Sequence, residues 1–341
     1  MVKTMARPTI DEVAKRAGVS TATVSRVLNR PEAVRDPLRK QVMEAIGKLG
    51  YVPHAGARAL MLRRSGTIGA VFPTVDNAIF AKAIEALQQR LALDGVQLLL
   101  ATSGYEPESE MREAINLVTR GVDGLVLCGF SQHPTLLNFI SQRGLPCVHV
   151  MAHPGINGLM SVGFDNARGM YNATRYLLDL GHRHIAMLAG VTKYNDRARE
   201  RVAGVRQAMM EAKLDWPESS LVESPYSLTE ARSGMHRLMQ LSPRPTAVLC
   251  GNDVLALGAM LEAAHMELVV PQDVSIIGFD DLEMSRHLRP ALTTVRVPTE
   301  SMWSTAAERL LAALRNEPVT AHTEVEVALV VRQSCGPVVQ N

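Results

Sequence analysis

The stretch TIDEVAKRAGVSTATVSRVLN, residues 9–29, decides the fold of the amino-terminal part of the chain. Thr9 and Glu12 have the spacing of a capping box, in which a hydroxyl and a carboxylate each accept a hydrogen bond from a free amide at a helix start. Gly18 supplies the left-handed residue that a tight helix end requires. Ser20 then caps a second helix. The stretch therefore predicts two short helices joined by a tight turn.

The second of these helices has one apolar and one polar face. Val24, Val27 and Leu28 point inward at helical spacing. The outer face is small, polar and basic, with Thr21, Ala22, Ser25 and Arg26. Such a helix can enter the major groove of DNA, where an arginine reaches O6 and N7 of guanine. The pattern predicts DNA binding with Arg26 as the guanine reader, although short capped helix pairs also occur in all-α domains of other function.

Charge is divided unevenly along the 341 residues. The whole chain carries a net charge of +2, but residues 1–65 hold 13 Lys and Arg against 5 Asp and Glu. The first 65 residues therefore carry +8 and the remainder −6. A basic module on an acidic body fits a polyanionic partner for the module alone, because phosphate neutralisation dominates nucleic-acid affinity. A basic face that merely contacts solvent is the alternative.

The composition indicates a reducing compartment and no membrane segment. The four cysteines stand far apart and have no metal-ligand or redox spacing, so we expect small core residues. The sequence has no apolar run of ~18 residues and no secretion signal at its start, which predicts a cytoplasmic protein. His182 and His184 form an H-x-H pair, but they flank the start of a strand and no metal site is predicted.

A third helix and a hinge complete the amino-terminal region. Asp36 is expected to cap the third helix, with Pro37 in its first turn and Gly50 at its end. These helices predict an all-α helix-turn-helix head over residues 7–52. Residues 53–65 form a hinge whose helix-capable part is too short to be stable alone. Leu60 is predicted to be a wedge in the minor groove, or else a linker residue that packs on the body.

From residue 66 onward, short apolar runs alternate with longer helical patterns, which is typical of parallel sheets with helices on both faces. The number of candidate strands predicts an α/β body of two doubly wound lobes over residues 66–335. The first lobe is expected at about 66–163 and 294–321, and the second at about 164–293 and 322–335. A ligand should lie between them at the carboxyl ends of the strands. No glycine-rich phosphate loop or nucleophile elbow follows these strands, so neither a nucleotide cofactor nor a catalytic residue is predicted.

Several motifs in this order resemble the lactose and galactose repressor (LacI/GalR) family over almost the whole chain. They are AGVS (17–20), TVSRVLN (23–29), LGYVP (49–53) and ARAL (57–60), followed by a two-lobed body like that of periplasmic binding proteins. The resemblance implies a transcription regulator, a repressor of carbohydrate or sugar-acid catabolic genes, and no enzyme. It also implies a homodimer that reads a near-palindromic double-stranded DNA operator under the control of a small-molecule effector.

The family's functional positions can be transferred to matching residues. Base-reading positions correspond to Thr21, Ala22 and Arg26, with Ile10 near a thymine methyl. Phosphate contacts correspond to Thr9, Ser20, Thr23, Ser25 and Asn29. The minor-groove leucine matches Leu60, beside Ala57, Arg58 and Met61. Effector contacts correspond to Arg201 in ARERVAG, Asn252 in GND and Asp280 in GFDD, with Phe80, Phe130 and Tyr226 as apolar or aromatic walls. Without the resemblance, Arg201 could equally form a surface ion pair and Asp280 a cap after a strand.

Met151 stands where several sugar-binding relatives offer a carboxylate, so this polar contact is missing or moved, with His153 as a candidate. The stretches GYEPESE, VGFDN and GHRHIA resemble the gluconate repressor branch, and Lys193, Arg197 and Arg199 add positive charge near Arg201. A sugar acid such as gluconate is therefore the expected effector, and no cofactor or metal is expected.

The assembly and two competing functions can also be addressed from the sequence. The carboxyl end has no leucine heptads, which favours a dimer over a tetramer, with a surface from first-lobe helices such as residues 80–93. A transport-type sugar-binding protein would carry an export signal and no basic head. A carbohydrate-modifying enzyme with a fused regulator head would need paired carboxylates, a nucleophile elbow or a metal cluster. The sequence leaves open whether the effector releases or promotes DNA binding.

Overall fold

The computed structural model describes residues 8–52, 64–152 and 159–338. The chain divides into two units, Met1–Ser65 and Gly66–Asn341. The predicted hinge helix lies outside the described residues, with Ala57, Arg58, Leu60 and Met61. His153 lies outside them as well.

The head consists of helices α1 (Ile10–Arg16), α2 (Thr21–Asn29) and α3 (Asp36–Leu49). Both parts of the capping box at Thr9 and Glu12 are formed, and Gly18 has a φ of +59°. The side chains of Val13, Val24 and Val42, one from each helix, are completely buried against one another. The head is therefore a small three-helix core, as its apolar spacing predicts.

One detail of the third helix differs from the prediction. Arg35, not Asp36, occupies the cap position, and no side chain caps this helix. Asp36 is the first helical residue, and its carboxylate instead accepts a hydrogen bond from Arg39 at 2.7 Å. Pro37 fits the first turn because an amide there would have no partner within the helix.

The body contains two sheets whose strands alternate with helices along the chain. Its strands in chain order are β1 (Thr67–Phe72), β2 (Gln97–Thr102), β3 (Gly124–Cys128), β4 (Cys147–Val150), β5 (Met160–Gly163), β6 (Ile185–Gly190), β7 (Leu221–Ser224), β8 (Ala247–Cys250), β9 (Ser275–Asp280), β10 (Thr293–Arg296), β11 (His322–Glu324) and β12 (Ala328–Val330). Its helices are α4 (Ala78–Leu93), α5 (Pro107–Thr119), α6 (Pro134–Arg143), α7 (Asn166–Asp179), α8 (Asp196–Glu211), α9 (Leu228–Met239), α10 (Asp253–His265) and α11 (Thr299–Leu314).

Each lobe is built on one of these sheets. The first sheet has the order β11-β5-β4-β3-β1-β2, and the second has the order β12-β10-β9-β8-β6-β7. Central strands such as β3 pair in parallel and are buried at every residue, because helices cover both faces of the sheet. The predicted architecture of a helix-turn-helix head and a two-lobed α/β body is confirmed.

Two crossings between the lobes differ from the predicted boundaries. Strand β10 pairs with β9 in the second sheet, although residues from 294 onward were expected in the first lobe. Strand β11 pairs with β5 in the first sheet, although residues from 322 onward were expected in the second lobe. Both strands are only three or four residues long. Their residue pattern indicates a strand but does not determine which sheet edge receives it.

Candidate functional site

Helix α2 presents the predicted base-reading residues to solvent. Thr21, Ala22 and Arg26 are exposed, whereas Val24 and Val27 on the opposite face are buried. This separation follows from the 3.6-residue period of the helix and leaves the polar face free to meet a groove.

The hydroxyl residues of the head are held in fixed local geometry. The Ser20 hydroxyl accepts a hydrogen bond from the Thr23 amide at 3.2 Å, and their two hydroxyls lie 2.9 Å apart. Asn29 donates to the Ser25 hydroxyl at 3.2 Å. Thr9 caps α1 immediately before the half-buried Ile10. The head therefore orders these short polar side chains around α2, where phosphate contact remains a prediction.

A cavity in the body brings together six of the seven predicted effector residues. It is lined by Phe80, Met151, Arg201, Tyr226, Asn252 and Asp280, together with Asn77, Ile79, Tyr105, Asn195 and Arg197. Phe130 is not part of this lining, and its ring stacks instead on His149 at a centroid distance of 5.0 Å. The sequence thus identified most of the cavity wall.

The inner cavity has a volume of only about 20 Å³. It shares Asn77, Tyr105, Asn195 and Tyr226 with an outer cavity of about 330 Å³. This volume lies in the range of about 300–1,000 Å³ in which proteins bind small organic ligands. The rings of Tyr105 and Tyr226 face each other with centroids 6.0 Å apart. Tyr105 follows strand β2 of the first sheet, and Tyr226 follows strand β7 of the second. The opening of the outer cavity therefore lies between the lobes.

Arg201 is buried and firmly positioned, which is inconsistent with the alternative of a surface ion pair. Its Nε donates to the side-chain oxygen of Asn166 at 2.9 Å, and Nη1 donates to the carbonyl of Gly251. The guanidinium also lies 3.7 Å from the ring centroid of Phe279. Its Nη2 lies 3.9 Å from Oδ1 of Asp280. One edge of the guanidinium is therefore fixed, while the other faces the cavity and Asp280.

Asp280 ends strand β9 with a φ of +111° and only 4% of its surface exposed. Among the described residues, its Oδ1 has no hydrogen-bond partner. Burial raises the pKa of the Asp280 carboxyl to about 7, although the nearby Arg201 favours the ionised form. A buried oxygen of this kind is well suited to accept a hydrogen bond from a ligand hydroxyl.

A buried carboxylate supports the segment that follows Asp280. Asp253 accepts hydrogen bonds from the Leu282 amide at 2.7 Å and from the Ser285 hydroxyl at 2.6 Å. It also accepts one from Thr294 at 2.5 Å. These bonds tie the loop to the neighbouring strand and to the start of α10, so the segment directly after Asp280 is held in place.

The first lobe contributes Phe80 and Met151 to the wall. Phe80 lies in α4 and is 3% exposed. Met151 is buried with a φ of +73°, and its carbonyl accepts a hydrogen bond from Asn166 at 3.0 Å. Because Asn166 also accepts the Arg201 hydrogen bond, the Met151 backbone is linked to the arginine through one amide side chain. The Met151 side chain therefore contributes an apolar wall, and its backbone carbonyl holds Asn166 in place.

Three asparagines reveal a feature that the sequence prediction missed in part. Asn77, Asn195 and Asn252 line the cavity, and each caps a helix, respectively α4, α8 and α10. The amino ends of three helices therefore converge on one cavity, and this geometry favours a negative charge. Asn252 closely follows its strand and was predicted, whereas Asn77 and Asn195 each stand five residues after the preceding strand, where the sequence carries a weaker signal.

Comparison with known proteins identifies the family of this chain. Residues 9–54 match the model for bacterial regulatory proteins of the lacI family, and residues 174–335 match a periplasmic binding protein-like domain. The chain is 37% identical over 331 residues to the HTH-type transcriptional repressor PurR of Escherichia coli O1:K1, covering 96% of both chains. The chain belongs to the lacI family of bacterial regulatory proteins. The predicted family is thus confirmed, and the protein is a DNA-binding transcription regulator with an effector-binding body.

Solved structures of a repressor and of a transcriptional regulator share the fold. The lac repressor dimer bound to operator and the anti-inducer ONPF matches with a TM-score of 0.86 and 27% identity, covering 96% of this chain and 99% of that one. A transcriptional regulator CelR–cellobiose complex matches with a TM-score of 0.71 and 30% identity, covering 96% and 100%. In the described ranges, no helix combines the length and apolarity needed to span a bilayer.

Proposed function

We propose that this lacI-family regulator binds a near-palindromic operator as a homodimer, with α2 of each head in the major groove. The exposed Thr21, Ala22 and Arg26 opposite the buried Val24 and Val27 are the observation that carries this assignment. Arg26 reads guanine, and the short hydroxyl side chains contact phosphates. A two-fold symmetric homodimer fits such an operator because two heads double the contacts and discriminate against single half-sites. The lac repressor in the operator complex is a dimer, which supports the same assembly here.

We further propose that the effector is a polyhydroxylated anion, a sugar acid of which gluconate is the test case. Asp280 and Asn252 contact its hydroxyls, and Arg201 supplies a charged donor beside them. The three converging helix amino ends and Arg197 favour the carboxylate. The cellobiose complex of a structural neighbour supports a carbohydrate-like ligand for this type of cavity.

Effector binding changes the angle between the lobes and thereby the operator affinity. A ligand can shift this equilibrium only by its difference in affinity for the two states, so operator and effector binding must be linked reciprocally. This linkage holds whether the effector raises operator affinity, as a co-repressor does, or lowers it, as an inducer does.

Titration of a selected operator fragment with and without effector tests the proposal. The protein would first select its fragment from a genomic pool at low salt, and anisotropy would then be measured with gluconate, glucuronate, glucose or cellobiose. We expect the acids to change operator affinity more than the neutral sugars do. Arg201→Ala should abolish that change while leaving operator affinity intact. Failure to select any fragment would refute DNA binding, and a response confined to neutral sugars would refute the sugar-acid assignment.

A further inference from the structure

The first turn of α8 contacts the opposite lobe at residues 129–131, which are not part of the inner-cavity lining. Oδ2 of Asp196 accepts a hydrogen bond from the Phe130 amide at 2.7 Å. The Asp196 amide donates to the Ser131 hydroxyl at 3.1 Å, and Arg199 donates to the same hydroxyl at 3.1 Å. Residues 129–131 follow β3 in the first lobe, whereas α8 belongs to the second. These three hydrogen bonds therefore join the lobes, and we call them the clasp.

The clasp also determines the position of a cavity residue. Asp196 is 8% exposed and Arg197 is 7% exposed, and Oδ1 of the carboxylate accepts a hydrogen bond from Nη1 of the guanidinium at 3.0 Å. Arg197 lines the inner cavity. One carboxylate thus binds the first lobe through one oxygen and a cavity arginine through the other.

Gly129 shows how closely the lobes approach at this point. A Cβ atom added there would lie 2.0 Å from Nη1 of Arg197 and 2.5 Å from Oδ1 of Asp196. Its φ of +71° is a second reason why a side chain is disfavoured. The contact between the lobes therefore depends on the absence of a side chain at residue 129.

We propose that Asp196 is a positioning residue for the effector, which fastens the closed lobes through the clasp and holds Arg197 at the cavity. The inference rests on the proposed function in so far as the effector occupies this cavity. A latch that joins the lobes must open before the effector can leave the cavity, so it slows effector release. Loss of the clasp should therefore appear in the dissociation rate constant.

Asp196→Asn and Gly129→Ala test the clasp, with Gly144→Ala as the matched control. Asp196→Asn replaces the charged acceptor by a neutral amide, which weakens the bond from the Phe130 amide and loses the ion pair with Arg197. Gly144 shares the positive φ, at +55°, but a Cβ there has open space. In stopped-flow measurements on the full-length protein with gluconate as the probe, both clasp variants should release the ligand about ten-fold faster. The Gly144→Ala control should release the ligand at the wild-type rate. Unchanged release from Asp196→Asn would overturn the proposal.

Hydrogen exchange tests the clasp without any ligand. The amides of Phe130 and Asp196 should exchange slowly in the wild-type protein, because each donates a hydrogen bond across the lobes. Gly129→Ala should remove this protection, and Gly144→Ala should retain it. Fast exchange of both amides in the wild-type protein would refute the clasp. Absence of gluconate binding together with slow exchange would instead contradict the sugar-acid proposal and leave the clasp supported.

Discussion

Among single residues, Arg26 offers the clearest test of sequence reading by the head. Its side chain is exposed on α2, so its removal creates no cavity in the head core. Arg26→Ala should weaken binding to the selected operator by about 1–3 kcal/mol, the usual value of a bidentate arginine–guanine contact. Arg39→Ala is the control, because Arg39 is equally basic but pairs with Asp36 on α3. Fluorescence anisotropy measures both variants on operator and on scrambled DNA. An equal loss of affinity for both variants on both sequences would contradict Arg26 as the guanine reader.

The buried carboxyl of Asp280 should make the stability of the protein depend on pH. Burial raises its pKa to about 7 in the folded protein, whereas an unfolded aspartate has a pKa of about 3.9. Between these values the folded state binds more protons, so the free energy of unfolding contributed by this group decreases as the pH rises from about 4 to 7. Urea denaturation should show a difference in unfolding free energy between pH 5 and pH 8 that Asp280→Asn reduces by about 3 kcal/mol.

Asp281 provides the control for that experiment. Burial acts to raise the pKa of its carboxyl, but hydrogen bonds from Arg296 and Arg332 outweigh burial and lower it. Because its titration lies below pH 5, Asp281→Asn should destabilise the protein similarly at both pH values. An equal pH difference in the wild type and in Asp280→Asn would show that the Asp280 carboxyl is not protonated in the folded state.

At the scale of one helix, Ser20 links folding of α2 to DNA contact. Its hydroxyl accepts the Thr23 amide, so Ser20→Ala should lower the local stability of the head by about 1 kcal/mol. Ser20→Asp keeps a capping oxygen and should retain that stability, but its negative charge should weaken operator binding. Hydrogen exchange of α2 amides and operator titration measure the two effects separately. Equal operator affinity for Ser20→Asp and the wild type would place Ser20 away from the phosphates.

Elements with strong local signals were predictable, whereas contacts between distant segments were not. The cap at Thr9 and the buried β3 follow from neighbouring residues, and both were predicted. Strands β10 and β11 are too short for their residue pattern to show which sheet they join. The predicted residues at which the chain crosses between the lobes were therefore wrong. The clasp joins residues more than 60 positions apart through a backbone amide and a glycine. Neither group has a residue pattern that indicates its partner.

For the whole molecule, the division of charge separates the two binding activities. Residues 1–65 carry +8 and the remaining residues carry −6. Operator binding should therefore weaken steeply with salt, by about 10³-fold or more between 50 and 200 mM if six or more phosphates are contacted. Effector binding in a buried cavity should change much less, because buried charges are poorly screened.

Substitution of one exposed arginine in each unit tests this division. Arg30 lies at the end of α2, and Arg244 lies in the body. If Arg30 contacts phosphate, Arg30→Gln should reduce the slope of log affinity against log salt by about 1 for each head. Arg244→Gln removes the same charge from the acidic body and should leave the slope unchanged. Equal changes in both variants would mean that total charge, and not the basic head, determines DNA affinity.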